Sequence, residues 1–193
     1  MALTPTSSRA IGVRTQVLYD ALGFGGQVFD YSTATQVLEP DNGRIYLGLV
    51  GLNAGDVVTN VLQVVEDAAA GTPPTRIRLG LASSAGVIVA RTAEVQAAAG
   101  WKVGGAVVVN ALSAPYVVPA TGGYYLCSIQ VGAWGTTAVG LRARTAGAGF
   151  YFAIGSGPPW YGNTGGGDSD LPAVASPLPV YDEAGSIPWL GWS

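Results

Sequence analysis

The chain has 193 residues, of which 49% are hydrophobic and only 11% are charged, and its formal net charge is −3. An acidic chain with so few basic residues has no surface suited to a phosphate backbone, so we expect no nucleic-acid partner. The sequence contains no histidine, which excludes Ser-His-Asp and Cys-His catalysis and removes the commonest zinc ligand. We expect one domain, no catalytic residues, no metal and no cofactor.

The first 35 residues have mixed character. Thr15 is a candidate N-cap for a short helix that Gly23 would end, and an extended segment follows from Gln27 to Thr35. We interpret residues 1–35 as an N-terminal arm or anchor segment. An arm that docks on a neighbouring subunit and an ordinary first strand with a frayed end both fit this pattern.

Residues 36–155 are predicted to form a β-sandwich domain, because short apolar runs alternate with Gly, Pro, Asn and Ser turns. Arg76 and Arg78 point to one face of their strand while Leu79 points to the other. The predicted strands are 44–50, 57–65, 75–82, 86–93, 101–109, 115–118, 124–131, 138–145 and 150–154, and residues 94–99 have helical potential.

Residues 112–131 carry the strongest strand signal. Tyr125, Cys127 and Ile129 face one way and their neighbours face the other, since the stretch alternates strictly. Cys127 is the only cysteine, so an internal disulfide is excluded and a buried, inert thiol is expected. Prolines interrupt the charge-free tract 103–141, so we expect no membrane insertion.

Residues 156–193 form a Pro/Gly/Trp-rich C-terminal excursion without strand periodicity. Trp189 and Trp192 are large apolar side chains, so we expect them to dock this segment on the sandwich or on a neighbouring subunit. A final strand over residues 187–190 is the simplest arrangement. The predicted fold is thus all-β, a single antiparallel, jelly-roll-like sandwich with an irregular N-terminal arm.

Two kinds of candidate site remain. Three pairs of acidic residues could serve a glycosidase: Glu66 with Asp67, Asp168 with Asp170, and Asp182 with Glu183. Residues 165–170 also resemble part of a calcium loop. Solvated surface acids are the simpler interpretation of all three pairs. Four aromatic residues lie in or near predicted loops and suit sugar stacking or subunit contact: Trp134, Tyr151, Trp160 and Tyr161.

The order of the strands resembles that of the small β-sandwich domains of phage virion proteins, especially minor tail and tail-fibre proteins of phages of high-GC bacteria. The resemblance covers roughly residues 44–145. It rests on the strand at 44–50, the Gly55-Asp56 turn, the strands at 76–82 and 85–93, and the segment 112–125.

This resemblance implies a non-enzymatic virion protein, made in the host cytoplasm, that acts as a minor tail or tail-tip appendage and contacts the host surface. Other virion proteins and a host-surface glycan are the implied partners, and a homotrimer is the implied assembly. A capsid decoration protein that stabilises the head lattice is the first alternative. A carbohydrate-binding module is the second.

Overall fold

The computed structural model describes residues 25–27, 34–145, 161–164, 166–179, 181–182 and 186–193. These residues form thirteen strands and a four-residue 3₁₀ helix, Ala99–Lys102. The strands are β1 Gly26–Gln27, β2 Gln36–Leu38, β3 Arg44–Leu52, β4 Val57–Asp67, β5 Arg76–Ser83, β6 Ile88–Arg91, β7 Val107–Val117, β8 Gly122–Val131, β9 Gly140–Thr145, β10 Tyr161–Thr164, β11 Tyr181–Asp182, β12 Ser186–Pro188 and β13 Leu190–Trp192.

The strands form two antiparallel sheets, which confirms the predicted all-β class and the antiparallel sandwich. The seven-stranded sheet has the order β1-β13-β4-β9-β12, with β7 beside β4 and β2 beside β9. The six-stranded sheet has the order β11-β10-β3-β8-β5-β6. Most neighbours in space are distant in sequence, so the core brings together both halves of the chain.

The main core lies between the two sheets. Its side chains come from the inward positions of alternating strands, such as Val61 and Val65 on β4 and Leu79 and Leu81 on β5. Trp101 also lies in this core, and its Nε1–H donates to the carbonyl of Val95 at 2.8 Å. Burial of large apolar groups from both sheets is what holds the sheets together.

The six-stranded sheet is also buried on its outer face. Tyr125, Cys127 and Ile129 of β8 point outward as the alternation predicts, and they pack with Leu171 in a second apolar cluster. Strand β8 therefore has buried side chains on both faces, although it belongs to an antiparallel sheet, whose outer face often meets water.

Three details differ from the strand prediction. The helical potential of residues 94–99 is not realised, because the Val95 N–H bonds to the Ile77 carbonyl rather than within a helix. The predicted strands 101–109 and 115–118 are replaced by one strand, β7, which begins after a turn at Gly105 (φ +74°). The predicted last strand is two short strands, β12 and β13, separated at Trp189. The predicted strand 150–154 lies outside the described residues.

Candidate assembly surface

Strand β7 alternates between buried and exposed side chains. Val108 and Leu112 point into the core, and Val107 and Val109 point outward. The outward valines remain 41% and 58% exposed. Because valine gains free energy when it leaves water, an outward row of valines on a strand is a candidate contact surface.

Two further valines extend this surface along the β4–β7 pair. Val57 and Val117 are directly opposite each other in the register, and they are 47% and 60% exposed. We call Val57, Val107, Val109 and Val117 the valine face. Its four members lie on the two-stranded ribbon of β4 and β7, Val57 and Val117 near one end and Val107 and Val109 near the other.

Trp189 covers part of the outer side of the seven-stranded sheet but leaves the valine face exposed. Leu62 and Val64 of β4 are buried in a small cluster with Trp189. Their direct partners across the register are Val109 and Val107, which remain exposed. Trp189 therefore shields β4, while the adjacent strand β7 keeps its apolar side chains at the surface.

The backbone of β7 presents an open edge beside these valines. The Val65 N–H donates to the Ala106 carbonyl at 2.9 Å, so in the antiparallel alternation the amide groups of Val108 face β4. The N–H and C=O groups of Val107 and Val109 accordingly point away from β4. Within the described ranges, β4 is the only strand registered against these two residues.

The ribbon carries no charge where the valines lie. Neither residues 57–65 nor residues 103–141 contain an Asp, Glu, Lys or Arg. Natural sheets often protect an open edge with lysine, proline or a bulge. In β7 the register irregularity and Pro115 fall at the opposite end from Val107 and Val109, so this edge lacks such protection there.

A group of charged residues lies on the outer side of β5 and β6. We call Arg76, Arg78, Arg91, Glu94 and Asp170 the arginine cluster. Asp170 accepts from Arg78 Nε at 2.8 Å and from Arg76 Nη1 at 3.0 Å, and Glu94 accepts from Arg76 Nε at 2.7 Å. The Arg76 hydrogen bond holds the pKa of Glu94 below its ordinary value.

Two of the carboxylates that suggested hydrolase chemistry have arginine partners. Glu66 pairs with Arg142 at 2.8 Å, and Asp170 belongs to the arginine cluster. Asp182 lies in β11, while Glu183 lies outside the described residues. Ion pairs of this kind hold local structure together.

The acids of the predicted calcium loop, residues 165–170, also contact other parts of the chain. The Asp168 N–H donates to the Gly43 carbonyl, and the Asp170 carboxylate is engaged by arginines. Across the part of the chain that the structure describes, no group of three or more His, Cys, Asp or Glu side chains is placed to hold a metal ion.

Of the four aromatic residues that were predicted to make contacts, the structure describes the side chain of Trp134. Trp134 is only 7% exposed, packs in the main core and donates its Nε1–H to Gln130 Oε1 at 3.2 Å. Tyr161 begins β10, which pairs with β3. Tyr151 and Trp160 lie outside the described residues. The ring of Trp134 is thus engaged within the chain.

The two C-terminal tryptophans lie within the sandwich of their own chain. Trp192 is in the main core, and β13 pairs with β4. Trp189 is buried on the outer side of β4, and its Nε1–H donates to Gln27 Oε1 at 2.9 Å. Gln27 belongs to β1, so this contact ties part of the predicted N-terminal arm to the C-terminal segment.

The valine face is the feature that sequence analysis missed. The stretch Val107-Val-Val-Asn-Ala-Leu is apolar at almost every position, so its alternation does not show which side is buried. The absence of charge over residues 103–141 was visible, and it is the one signal in the sequence for an uncharged surface.

No protein family and no curated protein matches this sequence. The described residues include no helix with the length and apolar character needed to cross a membrane.

Proposed function

We propose that this protein is a non-enzymatic structural protein of a phage virion, a tail or tail-tip appendage whose copies associate through the valine face. The valine face is the observation that carries the proposal. An uncharged, apolar ribbon beside an open strand edge suits lasting contact with another protein surface. The order of strands over residues 44–145, which resembles virion β-sandwich domains, supports the placement on a particle.

A second copy of the chain is the partner that fits this surface. Each copy carries a net charge of −3, and like-charged molecules approach most easily through a surface without charge. The open edge of β7 offers backbone donors and acceptors at Val107 and Val109. The same edge of another copy supplies the matching groups when the two strands run antiparallel.

The stoichiometry follows from how the surface is used. Two β7 edges that pair with each other are related by a two-fold axis, which gives a dimer. A trimer, which the resemblance favours, requires the valine face of one copy to lie on a different surface of the next copy. Both arrangements bury Val109, so one substitution tests them together.

Residues 1–35 would hold the appendage on the particle, and the sandwich would be displayed outward, where it contacts the host surface. The proposal predicts that particles from cells that express the gene in its native setting contain the protein. Antibody labelling of purified particles under the electron microscope should mark the tail.

The other outcomes of that experiment are equally informative. Label on the head would contradict the tail placement and support a decoration protein. Particles without label, together with binding of the free protein to host glycans, would overturn the virion proposal in favour of a carbohydrate-binding module. Wild-type protein added to unlabelled heads and tails separately serves as the control for non-specific adsorption.

A further inference from the structure

One described segment of the C-terminal excursion crosses the outer face of the six-stranded sheet. We call residues 168–178 the strap. At its start the Asp168 N–H donates to the Gly43 carbonyl at 2.9 Å. Towards its end Ile88 exchanges backbone hydrogen bonds with Ala175 and Ser176, and the Leu178 N–H donates to the Gly86 carbonyl at 2.7 Å. The strap is therefore fastened at both ends by a few backbone bonds.

The strap packs against an apolar face of the six-stranded sheet. The outward side chains of β3 and β8 form this face and are fully or almost fully buried: Ile45, Leu47, Tyr125, Cys127 and Ile129. Leu171 is the one strap residue that is buried in this cluster, and Leu178 packs partly against it. The other strap side chains are exposed or half-buried.

The arginine cluster holds the middle of the strap. Asp170 is bound by Arg76 and Arg78 of β5, and the Leu171 carbonyl accepts from Arg91 Nη1 at 2.6 Å. Arg76 Nη1 also donates to the Ser169 carbonyl at 3.0 Å. All these contacts join the strap to one sheet, and none of them reaches the core between the two sheets.

We propose that the strap opens as a unit and bares the outer face of the six-stranded sheet while the two sheets remain packed together. Segments with few buried apolar contacts and partly exposed hydrogen bonds open at lower free energy than the core. The strap fits that description, because it is held against the sheet by one buried side chain, the partly exposed arginine cluster and a few backbone hydrogen bonds at its ends. This inference is independent of the valine face and of the proposed function.

Cys127 reports on this opening. It is the only cysteine in the sequence, it is completely buried in the cluster in which Leu171 of the strap packs, and burial raises the pKa of its thiol. A thiol reagent can modify Cys127 only when the face is bared and water reaches the sulfur. The rate of labelling in native buffer therefore measures how often the strap is open.

The test compares Asp170→Asn with Glu66→Gln in the full chain. Asp170→Asn removes the charge that holds the strap, and we expect labelling of Cys127 to accelerate about tenfold or more. Glu66→Gln removes a similar ion pair from the other sheet, and we expect it to label at the wild-type rate. Added salt should accelerate labelling of the wild-type protein as well, since the cluster is partly exposed.

Amide hydrogen exchange separates strap opening from global unfolding. The Leu178 and Asp168 amides should exchange faster in Asp170→Asn, while core amides of β4 and β8 keep their wild-type protection. Equal labelling in Asp170→Asn and wild type would overturn the inference. Labelling that rises only in step with exchange of the core amides would overturn it too. If Asp170→Asn does not fold, the salt dependence of the wild-type protein tests the inference instead, through the rate of Cys127 labelling and the exchange of the core amides.

Discussion

Gln63 and Ser128 join the two sheets by a hydrogen bond through the interior of the sandwich. Gln63 Nε2 on β4 donates to Ser128 Oγ on β8 at 3.0 Å, and both residues are buried. A buried amide without a partner loses its bonds to water without replacement, so such pairs favour one relative position of the sheets. The bond thus fixes the sheet that carries the valine face against the sheet that carries the strap.

Removal of the Ser128 hydroxyl should destabilise the fold. We expect Ser128→Ala to lower the free energy of unfolding by about 1–3 kcal/mol, because the Gln63 amide loses its acceptor. Denaturant unfolding measures the change, and Ser113→Ala on the exposed part of β7 is the control. The double variant Gln63→Met/Ser128→Ala should cost less than the sum of the single variants, and strict additivity would contradict a direct coupling.

The alternation of β7 predicts that neighbouring valines contribute very differently to the free energy of unfolding. Val108 is buried in the core, so Val108→Ala should lower the free energy of unfolding by about 2 kcal/mol. Val109 is exposed, so Val109→Ala should change it by less than about 0.5 kcal/mol in the dissociated chain. Thermal or denaturant unfolding at low protein concentration distinguishes them, and equal losses would mean that Val109 is buried in the single chain.

Gly43 and Gly55 form a matched pair of glycines with positive φ, at +65° and +90°. Alanine at either position incurs backbone strain of about 1–2 kcal/mol. A Cβ at Gly43 would also press on the backbone of Asp168, whereas one at Gly55 meets nothing within 4 Å. Gly43→Ala should therefore lose more stability and accelerate labelling of Cys127, and Gly55→Ala should leave the labelling rate unchanged.

The arginine cluster predicts a specific pH dependence. Arg76 lowers the pKa of Glu94 in the folded chain, so the unfolded chain takes up this proton first as the pH falls below the ordinary value of 4.5. The contribution of Glu94 is thus present above that pH and is lost as the pH falls through the folded pKa. Glu94→Gln should melt below wild type at neutral pH, and the difference should shrink in acid.

The comparison of Glu94→Gln with the wild type separates the contribution of Glu94 from that of other carboxylates. Carboxylates that share no partner with Glu94, such as Glu66, are present in both proteins, so their contribution cancels in the difference between melting temperatures. A difference that is the same at neutral and acid pH would show that the charge of Glu94 does not stabilise the fold.

The strand pattern was predictable where alternation was strict. Tyr125, Cys127 and Ile129 face outward together, because alternate side chains of a strand lie on the same face. The alternation was therefore enough to predict which side chains of β8 share a face. The alternation predicts the side of a strand, but it does not reveal what covers that side. The strap lacks periodicity because it is rich in turns and proline, so its place over β8 could not be deduced.

The long-range contacts were beyond the reach of local patterns. Arg78 and Asp170 are 92 residues apart, and nothing in the sequence near either residue indicates the other. Trp134 lies in the loop between β8 and β9, as its sequence context indicates, but neither its burial nor its hydrogen bond to Gln130 could be deduced from the neighbouring residues. The valine face was hidden for a related reason, since apolar residues occupy both sides of β7.

The mass of the purified protein in solution, measured by light scattering over a range of concentrations, tests the central proposal most directly. The account predicts two or three chain masses for the wild type and a single chain mass for Val109→Lys. Val174→Lys changes a valine of similar exposure, 53% against 58%, on the strap and should keep the wild-type mass. A wild-type monomer at every concentration, or an oligomer that Val109→Lys leaves intact, would contradict association through the valine face.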